Sequence, residues 1–401
     1  MDTKPSALQY PLSEVKKIIK EWLYLKNDTV IDVMLAIQVA NGLKTDPNWM
    51  LIIGPPSHAK TELLRSLDGH PKACFLSNLT PSTLVSGLRF KKGQKDPSLL
   101  LTLDGKTLVL KDFTSILSMR SESQQEILGQ LREVYDGQYS KAFGTGKKID
   151  WTGHVGLLGA VTPVYDKHYS VIGTLGDRFL LYRTGNVNGR KTGLQAQKIV
   201  GHEDQMRCEI RDAVHKFLDQ FNDLSGMQFK KNEDINSLIV DLASFVAMGR
   251  LPVERDYRNQ TVLYLPLAEG TPRLTKQFMQ LGMGLALVHG KPGLDVEIYE
   301  VIKKVGRDLL PSQRLKILHH LWEEGITTTT WKKTKEIADD INLPTTTVKL
   351  ILEDLMIVEL LDRNIEDEDK EKSPYMWKLS DQAFDLIKSS EVFKVSEDVP
   401  F

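Results

Sequence analysis

Apolar positions along this chain follow two spacings, and the short runs that are apolar at almost every position predict strands. Such runs occupy residues 49–53, 107–110 and 155–161. A strand in a parallel sheet has this pattern because helices cover both of its faces. Segments with helical spacing separate the three runs. The pattern predicts an α/β fold with a largely parallel sheet.

Helical spacing also extends beyond the predicted sheet. Residues 13–43 before it are helical in pattern, and so are residues 206–221, 234–248 and 274–288 after it. The end of the chain predicts three short helices, an acidic turn and a strand, which is the order of a winged-helix domain. These segments are residues 313–324, 334–341, 345–356, 366–372 and 375–379.

Length and pattern together predict several domains, because 401 residues exceed one ordinary core. We expect four parts. They are an N-terminal helical segment at 1–46, an α/β core at 47–200, a helical lid at 201–306 and a winged-helix domain at 307–401.

Composition indicates a soluble protein of the cytoplasm. The chain is 41% hydrophobic and 26% charged, and no apolar run approaches the roughly 20 residues that span a bilayer. Residues 1–12 lack the basic and apolar regions of a secretion signal. Cys74 and Cys208 lie far apart without neighbouring ligands, which disfavours a disulfide framework or a zinc site. The formal net charge of −1 gives no overall attraction to nucleic acid, so any such binding needs local basic patches.

A loop with the features of a phosphate site follows the first predicted strand. It reads Gly54, Pro55, Pro56, Ser57, His58, Ala59, Lys60, Thr61, with Glu62 next. A glycine lets the backbone wrap phosphates, a lysine reaches their oxygens and a hydroxyl binds Mg²⁺. Ala59 stands where glycine is usual, and two prolines remove N–H donors. Because the loop joins a buried strand to a helix, we expect it to bind ATP and Mg²⁺.

A P-loop ATPase needs an acid at the end of a strand that neighbours the phosphate-loop strand, and it usually has a second acid. The second predicted strand supplies one carboxylate for this chemistry. It ends in Lys111, Asp112 and Phe113. Asp112 is either the Mg²⁺-side acid, with Thr61 as the other metal ligand, or the acid that orients the attacking water. Both alternatives predict slow or altered hydrolysis unless another residue substitutes, such as Glu62 or a group from a neighbouring subunit.

The order of these motifs resembles the AAA+ clade that contains the minichromosome maintenance helicases and the MoxR ATPases. Ala-Lys-Thr at 59–61 is like the helicase version of the phosphate loop, and matching Phe113 to the family's phenylalanine makes Asp112 the catalytic-glutamate equivalent. Residues 124–135 look like the family's helical insert, and residues 139–151 look like its pre-sensor-1 hairpin. The resemblance covers roughly residues 49–290.

The resemblance implies an ATPase that works as a hexameric ring. Thr162 occupies the sensor-1 place, where asparagine is commoner. Arg178, in the stretch 175–179, resembles the arginine finger that enters the neighbouring subunit's site, and Arg273 resembles sensor 2.

A ring would place the hairpin lysines Lys141, Lys147 and Lys148 around a pore, where they could contact DNA. Lys349 lies near the start of the predicted recognition helix of the winged-helix domain. We therefore expect a DNA motor of replication, acting as a helicase, translocase or helicase loader. The helicases' large N-terminal domain has no counterpart here, which favours a stripped-down form from a phage or mobile element.

Two other functions remain open at this point. The first is a MoxR-like protein remodeller that uses the winged helix as a partner adaptor. The second is a transcription regulator in which the ATPase acts as a nucleotide switch.

Overall fold

The computed structural model describes residues 8–43, 45–88, 95–169, 173, 178–185, 188–256, 258–266, 270–326, 329–366 and 373–394. The chain divides into two compact units. The first is drawn from Met1–His168, Leu175–Lys231 and Gln280–Val301, and the second from Tyr169–Thr174, Asn232–Met279 and Ile302–Phe401. The four-part division expected from the sequence stays a prediction. Among the described residues, no helix has the length and apolar character needed to cross a membrane.

A sheet of five parallel strands forms the centre of the first unit, which confirms the predicted α/β fold. The strands are β1 Trp49–Ile53, β2 Ala73–Leu76, β3 Lys106–Leu110, β6 Val155–Val161 and β7 Phe179–Arg183, with β4 and β5 in a separate hairpin. Their order is β2-β3-β6-β1-β7. β1 and β6 are buried at every position, and these two strands match the predicted bounds.

The strand order changes one expectation about the candidate site. The acid of P-loop ATPases was expected on a strand next to the strand that enters the phosphate loop. In the structure β3 pairs with β6, and β6 pairs with β1, so one strand separates Asp112 from the loop. All of these pairings are parallel, so the carboxyl ends of β1, β3 and β6 still meet at one edge.

Eight α-helices accompany this sheet within the described residues of the first unit. They are α1 Leu12–Trp22, α2 Thr29–Ala40, α3 Lys60–Arg65, α4 Pro81–Leu84, α5 Thr114–Leu117, α6 Ser121–Tyr135, α7 Gly189–Ile199 and α8 Glu203–Leu218. α2 is apolar on all sides and nearly all of its residues are buried. By contrast, none of the residues of α7 is buried.

The predicted hairpin is present in the first unit. β4 Gln138–Ala142 and β5 Lys148–Thr152 pair antiparallel, and Tyr139 lies opposite Trp151. Both of these side chains are buried, while their neighbours along each strand are more exposed. This alternation is the pattern of a hairpin with one face against the core.

The second unit has helices and a small antiparallel sheet. Its elements are α9 Glu233–Gly249, α12 Ser312–Glu323, β8 Lys332–Lys333, α13 Thr334–Asp340, α14 Thr345–Ile357, β9 Leu361–Ile365, β10 Tyr375–Leu379 and α15 Asp381–Ser390. Two further helices, α10 Pro272–Val288 and α11 Val296–Asp308, contribute residues to both units. The sheet order is β8-β10-β9.

The C-terminal elements agree with the sequence in type and order. The three predicted helices and the strand at 375–379 are present within two residues of their expected bounds. Trp377 of β10 is fully buried, and its indole N–H donates to the Thr334 hydroxyl at 2.8 Å. Residues 367–372 of the predicted acidic turn lie outside the described residues.

Candidate functional site

A cavity of about 560 Å³ opens at the carboxyl edge of the parallel sheet. Its wall includes the loop after β1, the residues that follow β3, and the end of β6. The lining residues are Trp22, Leu23, Tyr24, Pro56, Ser57, His58, Ala59, Lys60, Thr61, Glu62, Lys111, Asp112, Ala160, Val161, Thr162, Thr192, Gln195, Ala196 and Ile199. This volume falls within the roughly 300–1,000 Å³ of small-molecule sites. Ligands of open α/β sheets bind at this edge.

The loop after β1 turns tightly because two of its residues have left-handed backbone conformations. Ser57 has φ of 62° and Ala59 has φ of 58°. A Cβ atom on Gly54 would lie 2.3 Å from the Thr184 hydroxyl oxygen, so a side chain there would force Thr184 to move. The loop residues Pro56 to Glu62 all line the cavity. Gly54 and Pro55 lie beside them and contribute backbone carbonyls.

Replacing Ala59 by glycine should stabilise the protein, because left-handed φ is strained for alanine and unstrained for glycine. We expect the free energy of unfolding to rise by about 1 kcal/mol. Urea denaturation followed by circular dichroism measures it. Ala196→Gly, in the middle of exposed helix α7, is the matched control and should lower stability slightly. An unchanged or lower unfolding free energy for Ala59→Gly would contradict the strain argument.

The Lys60 side chain is buried and folds back over the loop. Its ammonium donates to the carbonyls of Gly54 and Pro55, both at 2.6 Å. These bonds use two of its three N–H donors. Burial lowers the pKa of Lys60, and the negative charge of Asp112 acts in the opposite direction. Lys60 and Asp112 therefore line one cavity and interact electrostatically.

The two residues that follow Asp112 in the chain bind the end of β6 and so hold Asp112 beside it. The Phe113 N–H donates to the Ala160 carbonyl at 2.7 Å, and the Thr162 N–H donates to the Thr114 hydroxyl at 3.2 Å. The Asp112 carboxylate accepts the Thr114 N–H at 2.9 Å. Phe113 is fully buried. The position after Asp112 is thus a core position, and its side chain does not line the cavity.

The charges around the cavity suit a polyanionic ligand that binds as a complex with a metal ion. Lys60 and Lys111 line it together with Asp112 and Glu62. Burial and the neighbouring Lys60 lower the pKa of His58, which keeps that imidazole neutral near pH 7. No group of three or more His, Cys, Asp and Glu side chains in the described ranges could hold a metal ion. Mg²⁺ is commonly bound by one or two carboxylates plus substrate phosphates, and Thr61 and Asp112 could supply the protein ligands.

Glu62 is already paired with another side chain. The Arg207 Nε atom of α8 lies 3.2 Å from the Glu62 carboxylate, and Arg65 lies 3.7 Å from it. That Glu62 substitutes for the missing acid stays a prediction.

The two arginines predicted from the resemblance lie in different surroundings. Arg178 is buried, and its guanidinium lies 2.9 Å from Asp136 and over the Tyr135 ring at 5.4 Å. The preceding residues 175–177 of its motif lie outside the described residues. Arg273 is in the first turn of α10, in the second unit. Contact of either arginine with a nucleotide stays a prediction.

The three hairpin lysines all have carboxylate partners. Lys141 lies 2.9 Å from Glu126, and Lys148 lies 2.9 Å from Asp150. The side chain of Lys147 is only 12% exposed, and its ammonium contacts Asp96 at 2.9 Å and the Ser86 carbonyl at 2.5 Å. A segment distant in sequence therefore binds Lys147, and contact of the three lysines with DNA stays a prediction. Each ion pair removes net positive charge from the expected basic collar.

One wall of the cavity was missed by the sequence analysis. Trp22, Leu23 and Tyr24 follow or end α1, and Thr192, Gln195, Ala196 and Ile199 lie on one face of α7. The spacing of the α7 residues is helical, but α7 has no buried residues and gives a weak apolar pattern. Its only local signal is Asn188, which accepts the N–H groups of Arg190 and Lys191 as an N-cap.

No model of a known protein family matches this chain, and comparison with curated proteins gives no significant match.

Proposed function

We propose that this protein is a P-loop ATPase that binds Mg-ATP in the cavity at the carboxyl edge of the sheet. The observation that carries the proposal is the convergence of Lys60 and Asp112 on that cavity from two different strands. An ammonium donor and a carboxylate at one strand edge are the minimum for binding a metal–polyphosphate. The motif order that resembles the AAA+ clade extends the proposal to a ring-forming motor.

The roles of the residues follow from their chemistry. Lys60 would donate to phosphate oxygens, and the Thr61 hydroxyl and Asp112 would hold the metal or its water. Thr162 follows β6 beside Asp112 and would orient the attacking water through its hydroxyl. Arg178 would reach a neighbouring subunit's nucleotide only after giving up Asp136, so ring assembly would have to replace that partner. We expect hydrolysis to be slow, because Asp112 is the one acid at the place where ATPases usually have two.

The C-terminal elements of the second unit support DNA as the substrate of this motor. The Tyr375 ring lies 5.5 Å from the Lys349 ammonium and 4.6 Å from the Arg363 guanidinium. This cluster, Lys349–Arg363–Tyr375, joins the proposed recognition helix α14 to the proposed wing. Two cations beside an aromatic ring suit a phosphate backbone.

Acidic residues on α14 count against DNA binding only if their charges are uncompensated. Asp354 lies 2.8 Å from Arg255 and 3.4 Å from Arg314, and Glu353 lies 3.4 Å from Arg255. All of these residues belong to the second unit. The arginines offset part of this negative charge, and Glu353 also lies 3.9 Å from the Lys349 ammonium of the cluster.

The ATPase rate of the full chain, measured without DNA, with single-stranded DNA and with duplex, tests this function. We expect DNA to raise the rate by about tenfold or less at low salt and to lose its effect as salt rises, because phosphate contacts release counterions. The double variant Lys349→Ala/Arg363→Ala should remove the stimulation and leave the basal rate unchanged. The matched control is Lys388→Ala/Lys394→Ala, which removes two exposed charges from around α15.

The protein-remodelling alternative has its own supporting observation, which is the neutralisation of Lys141, Lys147 and Lys148 by carboxylates. A basal ATPase that is insensitive to both forms of DNA would favour it. Absence of any ATP binding at millimolar concentration would overturn both versions of the proposal.

A further inference from the structure

The end of α1 is capped by a side chain from α7. The Gln195 amide nitrogen donates to the Glu21 carbonyl at 2.6 Å and to the Trp22 carbonyl at 3.0 Å. The last carbonyls of a helix have no partner within the helix, so these two acceptors would otherwise need water. The contact joins positions 174 residues apart in the chain.

This cap determines which way the Gln195 amide faces. A glutamine amide carries two N–H donors on one atom and an acceptor oxygen on the other. Both donors are directed at carbonyls, and reversing the amide would place its oxygen against those carbonyls. The oxygen is therefore oriented as a hydrogen-bond acceptor, on a side chain that lines the cavity.

The neighbouring wall suits a flat aromatic ligand. Leu23, Tyr24 and Ile199 also line the cavity, and the Lys191 ammonium lies 5.8 Å from the centre of the Tyr24 ring. Trp22 is held in place because its indole N–H donates to Glu209 at 2.7 Å. With phosphates on the loop around Lys60, this wall is where a nucleobase would lie.

We propose that Gln195 selects a 6-aminopurine over a 6-oxopurine in this cavity. The inference rests on the proposed nucleotide function and names the residue that sets its base preference. The exocyclic amino group of adenine donates to the Gln195 oxygen. The oxygen of a 6-oxopurine faces it with a second acceptor, and neither group is then satisfied.

Isothermal titration calorimetry of the full chain with ATP and with inosine triphosphate tests the inference, because inosine triphosphate carries the 6-oxo group on the same purine. Wild type should bind ATP at least about tenfold more tightly, as expected for one unpaired acceptor in a site. Gln195→Ala should bring the two affinities within about twofold of each other. Gln197→Ala on the same helix is the matched control, because Gln197 does not line the cavity, and should keep the preference.

Gln195→Ala also removes the cap of α1, which could by itself reduce the preference for ATP. A second variant separates these two effects. Gln195→Lys keeps donors for the two carbonyls and removes the acceptor, so it should abolish or reverse the preference for ATP. Equal affinities in wild type, or a preference that survives both Gln195 variants, would overturn the role of Gln195 while leaving the phosphate site in place. Failure of both nucleotides to bind would overturn the proposed function itself.

Discussion

Lys60→Met should weaken ATP binding by at least about 100-fold, the equivalent of about 3 kcal/mol lost from charge-assisted hydrogen bonds to phosphate. The reason is geometric. Lys60 is buried in the loop with its ammonium anchored to the carbonyls of Gly54 and Pro55, so its remaining donor is held at the cavity. Methionine keeps most of the aliphatic volume and removes the charge. Calorimetric titration with Mg-ATP measures the affinity.

The control for Lys60→Met is Lys106→Met, at the amino end of β3 and hence at the opposite edge of the sheet. It should leave ATP affinity unchanged. Circular dichroism and the urea midpoint must show that both variants are folded, because the loop carbonyls lose their donor in Lys60→Met. An affinity within threefold of wild type would remove the phosphate role from Lys60 and, with it, the main support for the ATPase.

Asp112→Asn should lower the ATP hydrolysis rate by about 100-fold or more, because the carboxylate that follows β3 is lost and the next residue, Phe113, is not an acid. The fold should survive, since asparagine can still accept the Thr114 N–H that Asp112 accepts at 2.9 Å. The rate is measured under single-turnover conditions with saturating ATP. Asp150→Asn, on the exposed hairpin, is the control and should keep the wild-type rate.

The same variant separates the two roles left open for Asp112. If Asp112 holds Mg²⁺, the variant needs more Mg²⁺ for the same ATP affinity. If it orients the attacking water, ATP and Mg²⁺ affinities stay as in wild type and only the rate falls. A variant with full activity would show that neither role belongs to Asp112.

The interior of the fold could be predicted from local pattern. β1 and β6 are buried on both faces, so continuous apolar runs define them without knowledge of their partners. The edge strands β2 and β7 were missed. β2 is half-exposed, and an apolar run of only four residues does not by itself distinguish a strand from a helix. α7 was missed for the related reason that its contacts with the core are few.

Some features of the candidate site could likewise be predicted from local sequence, and others could not. The loop from Gly54 to Glu62 and the carboxylate of Asp112 follow directly from their sequence context after apolar runs. The state of the charged side chains did not follow, because their partners are distant in the chain. Glu62 meets Arg207 across 145 residues, and Lys147 meets Asp96 across 51. Local sequence predicts that a lysine in a turn is exposed to solvent. It cannot show that a distant segment of the chain supplies an acceptor for that lysine.

By itself the sequence determined that this protein has buried parallel strands, and that a loop with Gly54, Lys60 and Thr61 follows one of them while Asp112 follows another. Apolar spacing and glycine placement act over a few residues, so they can be read without the fold. Only the tertiary structure decided that β6 stands between β1 and β3, that Lys60 and Asp112 nevertheless share a cavity, and that Gln195 and the end of α1 complete its wall. Strand order and long-range hydrogen bonds depend on how the whole chain packs, and no local pattern encodes them.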